Sequence, residues 1–189
     1  MNKKLFIWIP KSSGTSFYES FRLIDPTFIM QLNCNKITNG THGHCLVTEI
    51  YSDKELCDFE IFTIVRNPFS RAVSLYEYLK KQNLFPKNKN FESFLSTIHN
   101  GVPSVGPYNR KGLSQCNPQK DWIKDVPNVK IYRLEKRNIL ERDFALPQKH
   151  ANRSVYSDYR LMYDHNTIEM VKEIYKEDFT YFNYSTELV

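Results

Sequence analysis

The stretch Leu5-Phe6-Ile7-Trp8-Ile9-Pro10-Lys11-Ser12-Ser13-Gly14-Thr15-Ser16-Phe17 decides how this chain is read. Its five leading apolar residues, Leu5 to Ile9, predict a buried strand. Lys11 to Ser16 then supplies one lysine, four hydroxyls and one glycine. From Thr15 to Ile24, Phe17, Phe21 and Ile24 recur at helical spacing, and Asp25-Pro26 ends the segment. A strand that feeds a polar loop and opens a helix is a site for anions. Loop amides and the helix N-terminus face the anion, and the lysine adds a full positive charge. The expectation is a phosphate-bearing ligand of the nucleotide type.

Residue order narrows the ligand. A Walker A loop carries its lysine last, followed by Ser or Thr for magnesium. Here Lys11 comes first and Gly14 follows. The loop is also not G-x-G-x-x-G, which disfavours a dinucleotide fold. A second apolar run, Phe59 to Val65, ends in Arg66-Asn67-Pro68. Asparagine suits the N-cap and proline the first helical position, so a helix is predicted from Pro68 to about Lys81. Ala72, Leu75, Tyr76 and Leu79 are its expected core face, while Asn67, Arg71 and Ser74 share another. Arg71 is read as either a solvated residue or a ligand contact. Both loops would lie at the carboxyl ends of strands, where α/β sheets bind ligands. Two anion sites on one edge imply one ligand with phosphates at both ends.

Elsewhere, Thr27–Leu32 and Val129–Tyr132 read as strands and Phe91–Ile98 as a helix. Capping boxes are expected at Ser52–Glu55 and at Asn166–Glu169, the second opening a helix to about Tyr175. Residues 33–43, 101–118 and 148–158 read as loops, the middle one long enough to suggest a functional role. Alternating strands and helices point to an α/β fold with a mostly parallel sheet. The 189 residues fit one domain, residues 1–189. A net charge of +5 favours an anionic ligand but falls short of a dedicated nucleic-acid surface. No apolar run reaches membrane-spanning length. The N-terminal run is too short for a signal peptide, so a cytoplasmic location is expected. Cys34, Cys45, Cys57 and Cys116 have no C-x-x-C spacing and read as free thiols, and the sequons at Asn39, Asn152 and Asn183 as chance.

With these motifs in place, a resemblance becomes specific. PKSSGTSF resembles the loop that holds the 5′-phosphosulfate in sulfotransferases dependent on 3′-phosphoadenosine 5′-phosphosulfate (PAPS). RNPFSRAVS is similar to their 3′-phosphate element, an arginine and a serine eight residues apart, here Arg66 and Ser74. Thr41-His42-Gly43-His44 resembles the H-G-H of the glycan-modifying branch, which includes heparan 2-O-sulfotransferases. Asn152-Arg153-Ser154, Tyr159, Tyr175–Asp178 and Phe182–Tyr184 resemble that branch's C-terminal pattern. The resemblance implies a single P-loop-NTPase-like three-layer domain with a central, mostly parallel sheet. It also implies transfer of a sulfuryl group to a hydroxyl of a carbohydrate or small metabolite, with no metal. By position, Lys11 would stabilise the leaving phosphate. Ser12, Ser13, Gly14, Thr15 and Ser16 would hold the 5′-phosphosulfate, and Arg66 and Ser74 the 3′-phosphate. His44, or else His42, would be the base, at a histidine's ordinary pKa near ~6.5. Ser12-Ser13 stands where many members have Thr-Gly or Gly-Gly, so the loop must avoid positive φ at Ser13 or tolerate strain there.

Other readings stand beside these. The loop can be an ordinary βα turn, and Arg66 a surface residue. His42 and His44 can be structural, or metal ligands with a cysteine, although no cysteine pair has the usual zinc spacing. Lys149 and Arg153 either reach the 3′-phosphate or are solvated. Glu135 reads as a loop anchor, and Tyr156, Tyr159 and Tyr163 as packing. The rival functions are a nucleotide kinase or related phosphotransferase, and a non-catalytic binder of the product nucleotide 3′-phosphoadenosine 5′-phosphate (PAP) or of anionic glycans.

Overall fold

A computed structural model describes residues 3–21, 46–100, 113–146 and 158–188. Three strands, β1 (Lys3–Ile7), β2 (Phe59–Val65) and β3 (Lys130–Arg133), form one parallel sheet in the order β1-β2-β3. Leu5 pairs with Ile61 and Ile7 with Thr63; Phe62 pairs with Lys130 and Val65 with Arg133. Parallel strands covered on both faces need apolar side chains pointing both ways. Leu5, Ile7, Ile61 and Val65 pack on one face with Trp122, Ile123 and Phe182. Phe6, Phe62 and Ile64 pack on the other with Phe17, Leu140 and Phe144. There the Phe62 and Phe144 ring centroids are 4.6 Å apart and those of Phe6 and Phe17 4.9 Å. Thr63, buried in β2, satisfies its hydroxyl by donating to the Ile7 carbonyl at 2.8 Å.

Helix α1 (Gly14–Phe21) follows β1, and the short α2 (Asp53–Leu56) precedes β2. The predicted box at Ser52 and Glu55 caps α2. Helix α3 (Pro68–Lys81) follows β2, with Asn67 as N-cap: its Oδ1 accepts from Phe69 N–H at 2.9 Å and Ser70 N–H at 3.4 Å. Helices α4 (Phe91–His99), α5 (Arg137–Asp143), α6 (His165–Ile174) and α7 (Lys176–Tyr181) complete the described set. Ala72, Leu75, Tyr76 and Leu79 are buried as expected, in a second core with Phe94 and Leu95 of α4 and Val171, Tyr175 and Phe179.

Some boundaries differ from expectation. β1 ends at Ile7, because the Ile9 carbonyl is drawn into the turn by Ser12, whose Oγ donates to it at 2.7 Å. β3 lies one residue later than expected. The cap of α6 is Asp164, not Asn166: Thr167 N–H donates to Asp164 Oδ1 at 2.8 Å and Thr167 Oγ1 accepts from Asp164 N–H at 2.9 Å. Asn166 instead donates to Glu92. Thr27–Leu32, His42, His44, Lys149, Arg153 and Tyr156 lie outside the described residues.

Candidate functional site at the carboxyl edge of the sheet

β1 and β2 run side by side in the same direction, so the segments that leave them emerge on one edge. After β1 the chain turns through two residues of left-handed backbone, Lys11 (φ 64°) and Ser13 (φ 69°). Ser13 therefore tolerates the positive φ. Ser12 between them is fully buried and held by its bond to Ile9. Alternating the backbone hand in this way turns successive N–H groups toward one concave side, a geometry suited to anions. The ladder of α1 begins with Phe17 N–H donating to Ser13 at 3.0 Å, so the amides of Gly14 and Thr15 precede its first rung. Gly14 is required by space: a Cβ there would lie 2.0 Å from Trp8 Nε1 and 2.2 Å from its Cδ1. The indole rests directly against the start of the helix.

After β2 comes Arg66. Its Nε donates to Ser70 Oγ at 2.8 Å, and its Nη1 reaches the Lys11 carbonyl at 3.5 Å. The two predicted cationic residues thus stand together. Buried Gln119 fixes the backbone of Arg66, accepting its N–H and donating to its carbonyl, both at 2.8 Å. Glu135, just past β3, is an anchor: it accepts from Asn67 N–H at 2.7 Å and from Tyr184 Oη at 2.8 Å. Ser74 lies half-buried two turns into α3. One turn beyond it, the Tyr78 ring carries Lys11 Nζ at 4.2 Å from its centroid.

Arg71 is not a solvated residue but is held inside the protein. It is 1% exposed, with Nε donating to the Pro10 carbonyl at 3.1 Å and Nη2 to the carbonyls of Gln115 at 2.8 Å and Asn117 at 3.0 Å. Its guanidinium also sits 5.6 Å from the Tyr175 ring, whose hydroxyl donates to Cys116. Arg71 therefore ties the turn after β1 to residues 115–117. Tyr163 likewise packs, donating from its hydroxyl to the Phe69 carbonyl at 2.8 Å.

Cations dominate the electrostatics around Lys11. Burial, then the charges of Arg66 and Lys81, lowers the Lys11 ammonium to a pKa of about 8. Burial also lowers Arg66, with Glu135 and Tyr159 opposing and Arg71 adding to the effect. Neither Lys11 nor Arg66 forms an ion pair with a described carboxylate. A partly buried cation with no ion-pair partner is costly, and a ligand anion beside it relieves that cost. Among the described residues, no group of three His, Cys, Asp or Glu is placed to hold a metal, and no helix is long and apolar enough to cross a membrane.

Spacing alone flagged Lys11 to Ser16, Arg66 and Ser74. It missed Tyr78, although the i, i+4 relation to Ser74 puts both on one face of α3. It also missed Gln119, whose partners are 53 and 59 residues away and leave no local signal.

The fold and this edge define a mixed α/β chain with a small three-stranded parallel sheet and a cationic cluster where β1 and β2 end. No family model, curated protein or solved structure matches it.

Proposed function

We propose that this chain is a PAPS-dependent sulfotransferase of P-loop-NTPase-like fold, related to the glycan-modifying branch. One observation carries the reading. The PKSSGTS turn and the Arg66 element leave adjacent parallel strands, and Arg66 reaches the Lys11 carbonyl at 3.5 Å. A ligand with an anion at each end matches a lysine and an arginine that follow neighbouring strands, neither of which pairs with a described carboxylate. The turn amides and α1 would take the 5′-phosphosulfate, and Arg66 with Ser74 the 3′-phosphate. The donor supplies the sulfuryl group. Lys11 would hold the charge that develops on the leaving phosphate, the largest demand in a displacement of this kind. His44, or His42, would take the proton of the acceptor hydroxyl, and the fixed turn would hold the reacting groups in line. The acceptor class is a hydroxyl-bearing carbohydrate or small metabolite.

The test is transfer of labelled sulfate from PAPS to a panel of hydroxyl acceptors. Lys11→Ala should lower kcat by about 10²- to 10³-fold, and His44→Ala should also reduce turnover. No transfer to any acceptor, or turnover untouched by both substitutions, overturns the assignment. Calorimetry separates the rivals. Tighter binding of ATP with magnesium than of PAP would favour a phosphotransferase, and PAP binding without turnover a non-catalytic binder.

A further inference from the structure

We infer that Tyr78 is a positioning residue for Lys11, its ring face holding the lysine ammonium beside the turn that follows β1. The inference rests on the reading of Lys11 as the group that meets the ligand's anion. The ammonium lies 4.2 Å from the ring centroid, well inside the ~6 Å range of cation–π attraction. Among the described residues, the charged groups that bear on Lys11 are cations: Arg66 from the end of β2, and Lys81 three residues beyond Tyr78 on α3. No described carboxylate pairs with it. A lysine stem is long and flexible, and two like charges repel its head. The π-face of Tyr78 is the attraction that opposes them. Tyr78 stands one turn past Ser74 on α3, so the same helix that offers the serine also sets the lysine. The interaction needs the ring and not the phenol hydroxyl, which distinguishes it from a hydrogen bond.

The experiment compares wild type with Tyr78→Phe, Tyr78→Leu and Tyr78→Met. Lys11 is trace-acetylated with acetic anhydride across pH 6 to 11 and quantified by mass spectrometry, about five units spanning its titration. PAP affinity is measured in parallel. The Leu and Met variants should lower the labelling midpoint of Lys11 by about one unit, a tenfold change in proton affinity, and weaken PAP binding about three- to tenfold. The Phe variant should match wild type in both. A Leu or Met variant that titrates at the wild-type midpoint overturns the inference, as does a Phe variant that moves as far as they do. Two apolar replacements guard against one failing to fold. The labelling midpoint reports on Lys11 itself. A shifted midpoint without sulfate transfer would remove the proposed function and leave Tyr78 in its role. An unshifted midpoint with normal transfer would do the reverse.

Discussion

Replacing Arg71 with methionine is the sharpest probe of how the turn after β1 is held. The guanidinium makes three hydrogen bonds, to the carbonyls of Pro10, Gln115 and Asn117. Each bond from a charged donor contributes about 1.5–3 kcal/mol. Against this stands the cost of keeping an arginine that is 1% exposed away from water, several kcal/mol after relaxation. Methionine removes both, but it withdraws a donor from the buried Pro10 carbonyl and unties the turn from residues 115–117. The net loss expected is about 3–5 kcal/mol, a large share of a typical domain's stability. Arg71→Lys keeps the charge but has no planar fork to span carbonyls from separate segments, so it should lose about 1–3 kcal/mol. Urea unfolding measures both, and PAP titration of the folded Lys variant shows whether a loosened Pro10 disturbs Lys11. A Met variant within ~1 kcal/mol of wild type at unchanged m-value would refute the assignment of Arg71 as the clamp.

Gly14→Ala sets a helix-propensity gain of up to ~1 kcal/mol against an overlap with the indole of Trp8. Overpacking costs about 1–3 kcal/mol, so sterics win: net stability should fall and Trp8 emission should shift, and an unchanged spectrum with raised stability would contradict the packing. Ser13→Gly relieves the left-handed backbone at φ 69° and should raise the urea midpoint by about 0.5–1 kcal/mol equivalent, whereas a lower midpoint would show that no strain is stored there. Lys11 has a folded-state pKa of about 8 against the usual 10.5, so between those values the unfolded chain keeps a proton that the folded chain has released. Stability of wild type relative to Lys11→Met should therefore rise with pH across that window, while PAP affinity weakens upward through about pH 8. A difference that stays flat or falls from pH 8 to 10.5 would count against the burial of Lys11.

Local signals revealed β2 and α3 because they were redundant there. A β-rich apolar run ends in an asparagine that caps and a proline that fits the first turn, and both ends of α3 fall where spacing put them. β1 was displaced because an apolar run does not say where its ladder stops. The Ile9 carbonyl went to Ser12 instead. Helices α5 and α7, of seven and six residues, are too short to stand on propensity and form because Leu140 and Phe179 have cores to fill. At the site, the turn and Arg66 were legible as residue types at strand ends. The role of Arg71 was not, since helical spacing showed which face it shares with Ser74 but not that carbonyls 44 to 61 residues away converge there. Tyr78 was within reach of the same spacing, but its cation comes from another element.

Asp178 accepts the N–H groups of Gln119 at 2.8 Å and Lys120 at 2.9 Å, and Gln119 in turn grips the backbone of Arg66. The order of synthesis gives this relay a consequence. Arg66 leaves the ribosome more than a hundred residues before Asp178, which at ordinary translation rates is roughly five to twenty seconds. Throughout that interval the nascent chain carries Lys11 and Arg66 but lacks the carboxylate that seats Gln119. A ribosome-bound chain arrested before residue 178 should therefore show a pair of loose basic residues open to any polyanion nearby, and the last helix should turn that general stickiness into a defined site.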